Sequence, residues 1–372
     1  MGRVGVWISA FLDQTTRKQA VGVEGRISEL VPVVSGVPQG TVLGPILFLI
    51  HIRNISSNLS AGTHSTSFAV DTKIWRGVRT RDDCAQLQTD LQSVYGWAED
   101  INMMFNSDKF EWIRYSLTPE SAPDFQYLSP DSSIIEQKDN LRDLGVQLSS
   151  DLSFNLHIEK AVSTASQMVG WAMRSFRTRG SYILLTILKS LVQPHLDYCC
   201  QLWCPSTQYQ INRIEKVQKS LISRIGERRL TGADYWQKLQ LLRVYSQERR
   251  RERYAVMFLW KLCQGLVTGY DIIFTPPDSR TGRKAVPANI PRTPASLKNA
   301  REGSLAVKGV ALFNSLPISL RNSDHGDTAM FKNHLDIYLA NIPDQPTVAG
   351  LVRGAQSNSL LHQIPLYEQS II

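Results

Sequence analysis

A chain of 372 residues with 42% apolar and 20% charged residues has the make-up of two or three globular units, which excludes wholesale disorder and collagen-like repeats. Its longest apolar run, Val42–Ile50, contains Gly44 and Pro45 and falls well short of the roughly 20 residues a membrane-spanning helix needs, so no membrane partner is expected. Five cysteines and no basic-then-apolar leader point to a reducing interior, nucleus or cytoplasm, and a net charge of +8 admits a polyanionic partner.

In chain order, Val4–Phe11 reads as a short helix or strand and Gln19–Val23 as a strand. Gly25–Arg26 turns the chain into Ile27–Val34. The loop Ser35-Gly36-Val37-Pro38-Gln39-Gly40 is punctuated by glycine and proline. An apolar stretch follows, helical if it starts near Thr41, with Pro45 tolerated in its first turn. Ser65–Val70 and Lys73–Val78 read as two strands about a tight turn. Leu87, Leu91, Val94 and Trp97 recur at helical spacing, which predicts a helix over Asp82–Ile101. Lys109–Tyr115 is strand-like, Ser116–Ile135 a polar loop or sheet-edge insertion, and Leu144–Leu148 a short strand.

Beyond residue 150 the pattern is helical over His157–Arg177, Tyr182–Gln193, Gln208–Ile225, Asp234–Leu242 and Gln247–Cys263. Prolines 276, 277, 287, 291 and 294 then mark an extended linker over 271–299. One helix, Met330–Leu339, and a polar, mobile tail after Pro343 close the chain. Between Trp171 and Tyr254 stand 16 Lys and Arg against 6 Asp and Glu. Interleaved with tyrosine and tryptophan, these cations have the composition of a phosphate-backbone surface. Arg213, Lys216, Lys219, Arg249, Arg250 and Arg251 are the candidates, and the last three also resemble a nuclear-import cluster. The alternative is a set of solvated helix faces.

Gly36 and Gly40 remove side chains where another molecule can approach, Pro38 stiffens the loop between them, and Gln39 can both donate and accept at a base edge or sugar. The helix start beyond offers free amide N–H groups to phosphate. His195, Cys199, Cys200 and Cys204 have a spacing that matches no standard zinc module, and buried cysteines in a helical core explain them better.

The string Ser35-Gly36-Val37-Pro38-Gln39-Gly40-Thr41-Val42-Leu43-Gly44-Pro45-Ile46-Leu47-Phe48 resembles motif B of the reverse transcriptases of Jockey-like non-LTR (LINE-type) retrotransposons. Other landmarks follow in family order. Phe68-Ala69-Val70-Asp71 is similar to motif C, Met104-Phe105-Asn106 with Lys109 and Phe110 to motif D, and Leu144-Gly145-Val146 to motif E. Leu196-Asp197-Tyr198 with Leu202-Trp203, Ile214-Glu215-Lys216-Val217-Gln218, and Leu312-Phe313-Asn314-Ser315-Leu316-Pro317 resemble later stretches. The resemblance implies an α+β fold: a partial palm over 1–115, a loop and motif E strand over 116–150, a basic helical thumb-like region over 151–270, the linker, and a C-terminal segment over 300–372. It also implies an RNA template, a DNA primer or RNA–DNA hybrid as partners, and Mg²⁺ as cofactor. Gly36, Pro38, Gln39 and Gly40 then support template and nucleotide, and Lys109 is positioned to protonate the leaving group.

Two divalent ions serve nucleotide addition, and magnesium needs converging carboxylates. Motif C in the family reads Phe-Ala-Asp-Asp; here Val70 replaces the first acid and only Asp71 remains as a metal ligand. Motif A is not recognised in the chain. Phe11-Leu12-Asp13 imitates its opening, yet the surrounding Trp7, Arg17, Gln19 and Val21 resemble the segment between motifs A and B, where such an acid has no metal role. Among other acids, Asp82 and Asp83 suit a helix start, and Asp90 reads as a solvated surface acid. The expectation is a reverse transcriptase fragment, the downstream part of a longer reading frame, that binds no ion productively and is inactive alone. The alternative is a non-catalytic RNA- or DNA-binding protein derived from a retroelement.

Overall fold

In a computed structural model of the chain the described residues are 2–13, 17–33, 36–37, 40–116, 123–205, 207–269, 272, 274, 288–290, 301–322, 327–346 and 358–371. Pro38, Gln39 and nearly all of the Pro-rich linker lie outside them. Helix and strand are mixed. The chain divides into two units, Met1–Trp112 with Thr118–Gln137, and Ile113–Leu117 with Lys138–Ile372.

The first unit opens with α1 (Arg3–Leu12). An interrupted antiparallel ribbon follows, β1 (Lys18–Gln19) pairing with β4 (Val31–Pro32) and β2 (Gly22–Val23) with β3 (Arg26–Ile27). Its turn is Glu24–Gly25, one residue earlier than the sequence suggests, because both residues take left-handed φ, 49° and 80°. Next come α2 (Gly44–Ile52), the hairpin β5 (Thr63–Phe68) and β6 (Asp71–Arg76), and the long α3 (Arg81–Asp100). Helix α3 begins with a capping box in which Thr80 and Asp83 bond each other's backbone N–H. Lys109 is not in a strand: Ser107–Lys109 is a 3₁₀ turn, and only β7 (Glu111–Trp112) is extended, paired in parallel with β8 (Glu136–Gln137). The unit's core is small. Cys84, Tyr127 and Ile135 are buried with Leu87, Leu91, Phe110, Trp112 and Phe125 around them.

The second unit starts with the hairpin β9 (Asn140–Asp143) and β10 (Val146–Ser149), turned by Leu144 and Gly145. Helices α4 (Asn155–Ser175), α5 (Ser181–Ile187), α6 (Gln193–Asp197), α7 (Gln208–Ile222) and α8 (Tyr235–Leu242) then build one apolar cluster around Trp203, Leu184, Leu188, Leu196 and Leu221. Pro194 has no N–H to give, and the turn before it widens to a π-helix over Leu188–Val192. Helix α9 (Gln247–Cys263) has the bounds its sequence predicts.

The C-terminal part differs from the sequence expectation. A π-helical turn, Leu305–Gly309, leads into α10 (Val310–Asn314), α11 (Ile318–Arg321), α12 (Thr328–Ala340) and, in place of a mobile tail, α13 (Leu360–Ile371). Leu360 and Ile364 are buried in a second apolar cluster with Val256, Leu259, Trp260, Phe313 and Phe331. Trp260 and Phe331 stack at 4.5 Å. Pro365 inside α13 hid the helical signal, although Leu360, Ile364 and Tyr367 keep its spacing.

Candidate nucleic-acid site

The glycine loop keeps its physical logic. Gly36 and Gly40 both take φ near +76°, a region costly for any side chain. The Arg17 guanidinium donates to the Gly36 carbonyl at 2.7 Å, tying the loop to the ribbon. Helix α2 begins at Gly44 rather than near Thr41; the Thr41 hydroxyl accepts the Gly44 N–H at 3.1 Å, and Pro45 sits in the first turn.

The hairpin carries the residues resembling motif C at its tip. Phe68 pairs with Asp71, so Ala69 and Val70 form the two-residue turn and Asp71 opens β6. The sequence placed Val70 in the first strand. Ala69 at φ 51° reverses the chain before it. Val70 is 78% exposed. The Asp71 carboxylate is exposed too, with no side-chain partner among the described residues.

The hairpin base is fixed by an acid the sequence assigns to the surface. Asp90, on α3, is only 2% exposed. Its carboxylate accepts from the Ser60 N–H at 3.0 Å, the Ser60 hydroxyl at 2.7 Å and the Thr63 hydroxyl at 2.5 Å. Arg76, which pairs with Thr63 across the hairpin base, donates to Ser60, Thr63 and the Ala61 carbonyl. Burial disfavours the Asp90 carboxylate, but the Thr63 and Ser60 hydrogen bonds outweigh it and hold its pKa below the usual range. Asp90 is therefore a clasp, not a solvated acid. Asp83 serves the α3 cap, and its backbone hydrogen bonds from Arg79 and Thr80 lower its pKa likewise. Asp13 ends α1.

A divalent cation asks for several converging oxygens. At the tip one carboxylate stands beside an isopropyl group, and among the described residues no three His, Cys, Asp or Glu side chains come together to hold an ion. The residues present do not fit the ion pair that the resemblance implies. His195, Cys199, Cys200 and Cys204 form no such group either; Cys200 is buried in the first apolar cluster.

Lys109 is exposed on its 3₁₀ turn. It is placed there by its neighbours, since Phe105 and Phe110 pack edge-on against Tyr95 of α3 at 6.0 and 5.7 Å. Among the described residues no hydrogen bond or ion pair links its ammonium to Asp71 or the glycine loop. In the second unit, two stretches of the resemblance meet. The Tyr198 hydroxyl donates to the Leu144 carbonyl at 2.6 Å, at the turn similar to motif E.

The basic candidates divide sharply. On α7, Lys216 and Lys219 are exposed, Lys219 over the Tyr235 ring at 5.6 Å. Arg213 is half-buried, 3.6 Å from Glu159 and over the Tyr209 ring. Of the three candidate arginines of α9, two are buried away from any surface. Arg249 is 0% and Arg251 7% exposed. Arg249 donates to the Ile342 and Pro343 carbonyls, and Arg251 to those of Leu196 and Trp203, its guanidinium 3.8 Å from the Trp203 ring centre. Arg250 is half-buried and bonds Asp197 at 2.7 Å. Arg253 grips Asp336 with two hydrogen bonds of 2.5 and 2.7 Å. Glu252 accepts from Ser359, from the Leu360 N–H and from Lys308. A charge run that reads as a solvated or nucleic-acid face is instead a buried ionic layer tying the C-terminal segments to α9. The sequence carried little local signal of this, because the partners of the arginines and of Glu252 lie on other segments, among them Asp197, Asp336, Lys308 and Ser359.

The chain is 25% identical over 247 residues to an RNA-directed DNA polymerase from the mobile element jockey of Drosophila melanogaster, covering 62% of this chain and 25% of that protein. It is 26% identical over 227 residues to a probable RNA-directed DNA polymerase from transposon X-element of the same fly, covering 59% and 24%. A jockey polymerase of Drosophila funebris matches at 25% over 235 residues, covering 60% and 24%. The chain thus resembles the reverse transcriptases of Jockey-like non-LTR retrotransposons, and its match spans about a quarter of the length of each. No protein-family profile matches the chain, and neither does a solved structure.

Proposed function

We propose that this chain is the motif B-to-thumb part of a Jockey-like reverse transcriptase that holds nucleic acid but does not itself extend a primer. The observation that carries this reading is the hairpin tip: a well-anchored β-turn presents Val70 where the family carries its metal-binding acid. Two methyl groups supply no lone pair, and Asp71 alone does not neutralise two divalent ions. The reading places the first unit as partial palm and the second as thumb-like, with RNA template and DNA primer as partners. Gly36 and Gly40 would let a strand approach the backbone closely. Lys109, exposed beside its aromatic anchor, is suited to contact a triphosphate. The test is primer extension on an RNA template with Mg²⁺ or Mn²⁺ by the purified chain. No product above background is expected, and product from the wild-type chain would refute inactivity.

A second reading, retention as a non-catalytic RNA- or DNA-binding protein, is favoured by the exposed Lys216 and Lys219 with Arg213 on one helix beside Tyr209 and Tyr235. Such binding should fall steeply with salt as counterions are released. Fluorescence anisotropy with labelled RNA and RNA–DNA hybrid between 50 and 300 mM NaCl tests it. Affinity indifferent to ionic strength, or none at 50 mM, would exclude it.

A further inference from the structure

The second unit holds a cleft of about 330 Å³ lined by Lys189, Arg243, Arg250, Arg253 and Lys332, with Gln193, Tyr245 and Tyr254. These five cations come from separated parts of the chain. Lys189 lies on the π-helical turn, Arg243 at the end of α8, Arg250 and Arg253 on α9, and Lys332 on α12. No acid lines the cleft. Arg250 and Arg253 are neutralised by Asp197 and Asp336. Lys189, Arg243 and Lys332 are exposed, with no carboxylate in ion-pair distance among the described residues. Three positive charges without an ion-pair partner therefore line one concavity, an arrangement that draws anions to it.

The cleft is built, not accidental. Gln193 is buried, and its side-chain oxygen lacks a hydrogen-bond partner. Arg250 is locked by Asp197 and by the Tyr254 hydroxyl at 2.7 Å. Arg243 holds a left-handed backbone, φ 54°, that glycine adopts more readily, and its N–H closes α8 on the Gln240 and Leu239 carbonyls. That capping fixes the Arg243 backbone at the rim.

We propose that this cleft seats backbone phosphate of a nucleic-acid strand, with Lys189, Arg243 and Lys332 as its phosphate contacts. The inference rests on the nucleic-acid reading above and moves its anchor from the α9 arginines to a pocket whose cations come from four elements. The volume suits one nucleotide unit rather than a bare ion. The tyrosines at its wall offer ring surface beside the phosphate, as single-strand sites do.

The test uses the full chain and a fluorescein-labelled 12-nucleotide RNA, titrated by anisotropy at several salt concentrations. The triple variant Lys189→Gln, Arg243→Gln, Lys332→Gln removes the three free charges from exposed positions. A second triple variant, Lys160→Gln, Arg174→Gln, Arg177→Gln, removes the same charge elsewhere on the unit. Circular dichroism melts confirm that both fold. The cleft variant is expected to bind at least about 10-fold more weakly than the control, with a log-affinity against log-salt slope shallower by about 2, near 0.7 per lost contact to a single strand. If the wild-type chain binds no RNA, the underlying reading fails and the cleft inference with it. If wild type binds but the cleft variant weakens no more than the control, the cleft inference alone is overturned. Direct binding of inorganic phosphate or AMP that the cleft variant loses, with RNA affinity intact, would assign the cleft to a free phosphate compound and also overturn it.

Discussion

At the residue scale the account turns on side chains whose chemistry decides what their place allows. Asp90 is buried with three donors converging on it. Asp90→Ala leaves those donors unsatisfied and should destabilise the first unit by about 2–3 kcal/mol in urea unfolding, while Asp82→Ala on the exposed face should cost under about 0.5 kcal/mol. Gly145 sits at φ 90°, and a Cβ there would meet Tyr198 Cε1 at 3.2 Å. Gly145→Ala should therefore cost about 1–2 kcal/mol, and Tyr198→Phe, which frees the Leu144 carbonyl, about 1 kcal/mol. These contacts were hidden from the sequence. Asp90 reads as a surface acid because helical spacing alone does not say which neighbour covers a helix, and its partners are 27 and 30 residues away.

At the element scale α9 is the decisive case. Its bounds were readable from periodicity, its environment was not, because a basic run has the same composition whether its partners are water, phosphate or internal carboxylates. The layer has a pH signature. Burial, with Glu252 close by, pushes Glu248 up to about 8, and burial pushes Glu215, which accepts from Tyr235 and from the Gln247 N–H, up to about 7. Lys308 beside Glu252 and Glu248 works the other way on Glu248, and Asp344 raises Glu215 further. Both acids bind a proton more tightly folded than unfolded. Their contribution is complete below about pH 4.5 and is lost as pH rises through 7 to 8. The unfolding midpoint should fall between pH 6 and pH 9, and Glu248→Gln should flatten that fall; a midpoint rising over this range would contradict the assignment.

At the scale of the whole molecule the two units differ in how much core they own. The first buries little and leaves Val42, Ile46, Leu49, Phe68 and Val70 exposed. The second holds two large apolar clusters with the ionic layer of α9 beside them. Amides of α7 and α9 should be the slowest to exchange with deuterium, and those of α2 and the β5–β6 hairpin much faster. The family resemblance was legible because glycines, a proline and a hairpin turn leave local signatures. The fold of the C-terminal segment was not, because α13 is held by contacts to Glu252 more than 100 residues away. The central claim is that a valine at the hairpin tip denies the chain its metal site. Titration with Mn²⁺, read by the loss of its free-ion EPR signal, tests it in wild type, Val70→Asp and Asp71→Asn. The account predicts no binding at the tip in wild type, unchanged by Asp71→Asn, and measurable added binding in Val70→Asp. Tight Mn²⁺ binding by the wild-type chain that Asp71→Asn abolishes would contradict it.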